Sequence, residues 1–324
     1  MAEDMLAALT EFYQKAGIYS CDFHCKRFDK NLDSCREAAR KVISGEEPAS
    51  KRARQKLEAE KKALLRHGQF TQASSAYVGE KYESKDSCCR LLFLSLDPGS
   101  EDSSDDTWPR KFGLWDSCDD PSGRTPEGRR EAVIKGLEKD GVKREWVHWY
   151  GTHYLAARIL QEAAYRPASE ISRGVCGVLD DTRADRTTKE RKLPDVTPYF
   201  AHANVVKCSI GRLGNAQAPD QMYDNCQEYL KGELPLLRPD IIVTQGTKAA
   251  EALVRHYPPV SRFAGFCDRL QYLTLREPKD VLWVRTYHPR YGRFWTEGKT
   301  DDGVRWGEYA RAAAKFMAKK REVG

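Results

Sequence analysis

Residues 91–99 read LLFLSLDPG: an apolar run from Leu91 to Leu96, interrupted only by Ser95 and stopped by Asp97-Pro98-Gly99. Such a run, without strict polar alternation, is what a strand covered on both faces requires, and Pro and Gly mark its end. Three further runs have the same apolar character, namely Ala203–Cys208 (ANVVKC), Ile241–Gln245 (IIVTQ) and Val281–Tyr287 (VLWVRTY). Apolar residues at helical spacing separate or flank them at 126–138, 153–165, 220–237, 247–256 and 305–319. A first helix is predicted over 3–16, where Leu6, Leu9, Phe12 and Tyr13 share a face. Thr247, after Gly246, is the candidate cap of the helix that follows. Strands alternating with helices predict an α/β fold, a three-layer αβα sandwich with a central, mainly parallel four-stranded sheet.

Polar residues stand just after three of the strands: Asp97, Gly246 and His288. Open α/β sheets bind ligands beyond the carboxyl ends of their strands, so these residues are expected to share one site. Residues 168–197 are polar and weakly periodic, and read as an inserted loop.

The chain of 324 residues carries a net charge of +6. This favours a polyanionic partner. Residues 51–66 add seven basic side chains against two acidic ones, either a solvated helix face or an arm that tracks phosphates. No apolar run approaches the roughly 18 residues of a membrane span. The acidic start of the chain lacks the pattern of a secretory signal, so a cytoplasmic location is expected. Ten cysteines in a reducing compartment point either to metal ligation or to small core residues.

Four segments, in this order, resemble the uracil-DNA glycosylase superfamily: LSLDPG at 94–99, ANVVKCS at 203–209, RPDIIVTQGTKAAEAL at 238–253 and TYHPR at 286–290. The second and third look most like its iron–sulphur families. The resemblance implies a monofunctional DNA glycosylase, which flips a uracil or modified pyrimidine out of DNA and hydrolyses its N-glycosidic bond. It makes residues 91–324 the glycosylase domain and 1–90 a helical, cysteine-bearing extension packed on it. DNA is the implied partner, with no obligate protein partner evident.

By the same resemblance Asp97 and His288 are the catalytic pair. Cleavage leaves positive charge on the sugar and negative charge on the departing base. A carboxylate below the sugar stabilises the first and orients water, and an imidazole N–H stabilises the second. Asp97 could instead simply cap the next helix. Asn204 matches the reader of the base edge, for which an amide supplies both donors and acceptor. Gly99 and Phe112 complete the base pocket, with Trp115 the alternative stacking ring. In PRYGRFW, Tyr291 and Phe294 are candidate wedges, and Arg290 and Arg293 candidate phosphate contacts. No lysine is placed by motif to form a Schiff base; Lys207 belongs to a strand and Lys248 to a helix start. His202 reads as structural.

Cys21, Cys25, Cys208 and Cys226 are the implied ligands of a structural [4Fe–4S] cluster. The first pair is Cys-x3-Cys where these families usually show Cys-x2-Cys, so Cys35 is an alternative ligand. Zinc would also suit four thiolates. The iron–sulphur families commonly place glutamate where Leu96 stands. That departure admits a bulkier substrate, such as glucosylated hydroxymethylcytosine in phage DNA, and hence an antiviral role. Two other classes remain: a non-catalytic DNA-binding protein on the same fold, and a metal-dependent nuclease built on Asp97, Asp102, Asp105 and Asp106.

Overall fold

A computed structural model describes residues 2–15, 75–83, 88–96, 147–163, 196–207, 218, 220–277, 280–289, 291–299 and 304–323. The sheet strands are β1 (Tyr77–Val78), β2 (Leu91–Ser95), β3 (Phe200–Asn204), β4 (Ile241–Gln245), β5 (Ser261–Arg262), β6 (Leu270–Leu273) and β7 (Val281–Thr286). The helices are α1 (Ala2–Lys15), α2 (Val147–Ala163), α3 (Asp220–Asn225), α4 (Gln227–Leu237), α5 (Thr247–Val254), α6 (Gly292–Lys299) and α7 (Val304–Val323).

The sheet runs β1-β3-β2-β4-β7-β6-β5. Its centre, β3-β2-β4-β7, is parallel and consists of the four expected strands. Antiparallel strands extend both edges, β1 on one side and β6 with β5 on the other, so the sheet has seven strands rather than four. Every residue of β2, β3 and β4 is buried, because helices cover both faces. One apolar cluster joins Leu92, Leu94, Ala201, Ala203 and Ile242 to α1, α3, α4 and α5. The other joins Leu91, Phe93, Phe200, Val243 and Val284 to α2, α6 and α7. Among the described residues, no helix is long and apolar enough to cross a membrane.

Two expectations shift. The strand sought at Ala203–Cys208 lies earlier, at Phe200–Asn204, although Val205 and Val206 still donate to the Ser95 and Leu96 carbonyls (both 3.0 Å). The cap of α5 is Gly246, not Thr247, and no side chain caps it. Gly246 has φ +102°, where a side chain is strained.

At the amino ends of the strands, Asp240 ties three elements together. Its carboxylate accepts from the Arg90 backbone N–H (2.9 Å), the Arg90 Nη2 (2.9 Å) and Lys320 Nζ (2.6 Å). Burial pushes the Asp240 carboxyl up, but Arg90 and then Lys320 outweigh it and hold it below its ordinary value. On the α1 side, buried Glu233 of α4 pairs both carboxylate oxygens with buried Lys207 Nζ (2.5 and 2.6 Å) and accepts from the Tyr13 hydroxyl. Gly232 lets Phe12 press onto α4, since an added Cβ would stand 2.2 Å from its ring. Helix α1 is therefore joined to the core by both a hydrogen-bonded ion pair and close packing.

Candidate active site

The carboxyl ends of β2, β3, β4 and β7 lie side by side, so the residues following them share one end of the sheet. In register, Ser95 of β2 stands opposite Asn204 of β3. The Gly246 N–H donates to the Thr286 carbonyl (3.0 Å), bringing the ends of β4 and β7 together. A Cβ added at Gly246 would stand 3.5 Å from His288 Cβ and 3.6 Å from Leu96 Cδ2. The imidazole and the residue preceding Asp97 thus flank the same glycine turn.

Beneath these ends runs a buried chain of polar side chains. His202 Nε2 lies 2.7 Å from Ser95 Oγ. Ser95 Oγ donates to Gln245 Oε1 (2.6 Å), and Gln245 Nε2 donates to Thr152 Oγ1 (2.8 Å). Ser95 has one proton and gives it to Gln245, so it accepts from the Nε2–H of His202. The chain ties β3, β2, β4 and α2 together directly below the candidate site. His202 is structural, as its sequence setting implies.

The loop after β7 is held from several sides. Tyr291 N–H donates to the His288 carbonyl (2.8 Å), closing a turn. Trp295 Nε1 donates to the Pro289 carbonyl (2.6 Å). Gly151 of α2 packs against this turn; a Cβ there would lie 2.8 Å from Phe294 and 2.9 Å from Pro289. The turn leads into α6 rather than an extended loop, and this overturns one assignment. Phe294 is fully buried, in edge contact with Trp295 and Trp306, so it packs the core and is no wedge. Tyr291 is 61% exposed and keeps that candidacy.

Around Tyr291 lies a patch of rings and guanidinium groups. Tyr287 stacks on Tyr291 with ring centroids 6.3 Å apart. Arg269 lies over the Tyr287 ring at 4.2 Å and Arg293 at 5.9 Å. Hydrogen bonds from Arg293 and then Arg269 hold the Tyr287 phenol below its ordinary value. Arg269 also pairs with Glu297 (2.7 Å), fixing the hairpin edge to α6.

The family model of the uracil DNA glycosylase superfamily matches residues 156–305. Residues 156–305, somewhat less than half of the chain, are thus similar to that superfamily. The match takes in Asn204, Gly246, His288 and the aromatic–arginine patch, and begins after Asp97. No curated protein matches the chain.

Of the residues expected to line the glycosylase site, Asn204, His288, Tyr291 and Arg293 are described, Asn204 buried and Arg293 exposed. Asp97, Gly99, Phe112, Trp115 and Arg290 lie outside the described residues, as do Asp102, Asp105 and Asp106. Among the cluster candidates Cys226 is described, a buried cysteine outside any disulfide at the start of α4; Cys21, Cys25, Cys35 and Cys208 lie outside the described residues. Sequence reasoning missed Ser95, Gln245 and Thr152, whose pairing depends on strand order. It also missed Tyr287 and Arg269, though Tyr287 adjoins His288 and was within reach of the motif.

Proposed function

We propose that the protein is a monofunctional DNA glycosylase that everts a pyrimidine nucleotide and hydrolyses its N-glycosidic bond. The observation carrying this reading is the shared turn at Gly246, where an added Cβ would touch both Leu96, the neighbour of Asp97, and His288. In this reading Asp97 stabilises the developing sugar cation and orients water, and His288 donates to the base oxygen as it gains charge. Asn204 reads the base edge, and Phe112 with Gly99 encloses the ring. Tyr291 fills the space left in the duplex. Arg293, Arg290 and the Tyr287–Arg269 pair meet the backbone, with guanidinium groups that suit phosphate.

A [4Fe–4S] cluster held by Cys21, Cys25, Cys208 and Cys226, with Cys35 in place of Cys21 or Cys25 as the alternative, is part of the proposal, as a structural cofactor. What supports it is the meeting of described residues that neighbour three of the cysteine-bearing segments in sequence. Tyr13, Lys207 and Glu233 meet in one buried group. They precede Cys21, precede Cys208 and follow Cys226 in sequence, so the three cysteine-bearing segments depart from one place. The cluster would supply cross-linking of the 1–90 extension to the 91–324 domain.

One observation favours a substrate other than uracil. Leu96 places hydrocarbon beside the Gly246 turn, at the position where the resembled families commonly carry a carboxylate. A modified cytosine, including the glucosylated hydroxymethyl base of phage DNA, is the second reading, and an antiviral role would follow from it. The experiment is incubation in chelator with DNAs carrying uracil or modified cytosines, and identification of the free base by mass spectrometry. Release of one base, with strand breaks only after alkali, is expected. Metal-dependent direct breaks would replace the reading with a nuclease. Retained DNA with no free base from any substrate would replace it with a binding protein.

A further inference from the structure

The opposite end of the sheet holds a feature that base excision does not use. Cys88 and Cys89 precede β2, with their sulfurs 3.9 Å apart. Both line a cavity of about 310 Å³ with Asp4 of α1, Tyr82, Glu83 and Arg238. Cys88 is half-buried, whereas Cys89 is only 3% exposed. Cys88, as a thiol, donates to the Leu160 carbonyl of α2 (3.5 Å). With Cys88 protonated, the contact between the sulfurs also runs from Cys88 to Cys89; once Cys88 is a thiolate, the Cys89 thiol is the donor.

We propose that Cys88 and Cys89 form a hydroperoxide-reactive dithiol, in which Cys88 is the nucleophile and Cys89 the resolving thiol. The Cys88 thiolate attacks one oxygen of the hydroperoxide. The O–O bond breaks, Cys88 becomes a sulfenic acid, and the other oxygen leaves as hydroxide or alkoxide and takes up a proton. The Cys89 sulfur then attacks the Cys88 sulfur; an S–S bond forms, the S–O bond breaks, and the Cys89 proton leaves with that oxygen as water. Two thiols are oxidised by two electrons, and the peroxide is reduced.

The two thiols differ in the sense this sequence of steps needs. The hydrogen bond from Cys89 is the largest influence on Cys88, and with help from Arg321 it outweighs burial and lowers the Cys88 thiol below its ordinary value. The same contact and then burial raise Cys89 well above its own, so it stays protonated until the sulfenic acid has formed. The cavity gives a small oxidant room beside the pair, and Cys88 is the more exposed of the two. Neighbouring residues have Cα atoms about 3.8 Å apart, less than the roughly 4.4–6.8 Å of ordinary disulfides. The bridge is therefore strained and easily reduced, a reversible state rather than a structural staple.

The proposal stands apart from the glycosylase reading, and so does its test. The whole protein is treated with a small excess of hydrogen peroxide, alkylated and digested without reductant, and the peptide containing residues 88 and 89 is weighed. The expected result is loss of two hydrogens within that peptide, restored by dithiothreitol, at a rate at least tenfold above modification of half-buried Cys267. In Cys89→Ser, Cys88 should instead be trapped as a sulfenic acid adduct by dimedone. A pair that remains reduced, reacts no faster than Cys267 or proceeds to sulfinic acid without bridging overturns the proposal. The wild-type measurement decides the matter even if the variant folds poorly.

Discussion

The two ends of the sheet are closed by different chemistry. At the amino ends, Asp240, Arg90 and Lys320 form a charged clamp. At the carboxyl ends, His202, Ser95, Gln245 and Thr152 form a hydrogen-bonded chain that holds no carboxylate. A carboxylate in that chain would add to the repulsion of phosphates and of a departing anionic base, whereas hydroxyl, amide and imidazole groups hold the strands without adding negative charge. The charged clamp sits where no polyanion is proposed to bind. Holding the fold and preparing the site are thus assigned to opposite ends of the same strands.

Changes at the carboxyl ends should alter turnover, and changes at the amino ends should alter stability. The largest effect is expected for His288→Ala, which should slow base release by about 100-fold or more while DNA affinity stays within a few-fold. Single-turnover rates and fluorescence anisotropy check this. Gln245→Leu should follow. It removes the hydrogen bonds that Gln245 makes with Ser95 and Thr152 and costs roughly 1–3 kcal/mol by urea unfolding, with a fall in turnover because the strand ends loosen. An unchanged turnover would separate the chain from the site.

Asp240→Asn should cost a similar or smaller amount, roughly 1–2 kcal/mol after allowance for the partly exposed Arg90 and Lys320, with base release unchanged below the melting range. Its pH dependence has a fixed sign. The folded carboxyl titrates below its unfolded value, about 3.9. The clamp's contribution is therefore complete above that pH and lost as pH falls through the folded value. The asparagine variant has no such carboxyl to protonate, so its stability should fall less steeply with acid than that of the wild type. Equal acid slopes in the two proteins would show that the clamp contributes nothing in solution. The smallest effect is expected for Arg293→Ala: several-fold weaker DNA binding and a salt slope lower by about one.

The parallel centre of the sheet is legible in the sequence because Leu91–Leu94, Ile241–Val243 and Val281–Val284 are continuous apolar runs. Strand β3 is harder to place because His202 and Asn204 interrupt it with polar side chains; the cost of burying His202 is offset by Ser95, a partner from another strand. The edge strands are two to four residues long, too short for a period to emerge. Phe294 misleads because an aromatic beside arginines suits either DNA or a core, and only the approach of α2 at Gly151 distinguishes them. His288, Asn204 and Tyr291 are accessible from motif order alone. Ser95, Gln245 and Arg269 are not, since each acts on a neighbour brought close by folding.

The central claim is that groups following β2 and β7 act on one C–N bond. The most direct measurement is the single-turnover rate of free-base release from the DNA the protein cleaves, for wild type, Asp97→Asn and His288→Ala, with DNA affinity measured in parallel. The account predicts that each substitution lowers the rate by about 100-fold or more with little change in affinity. Wild-type release by either folded variant would contradict it.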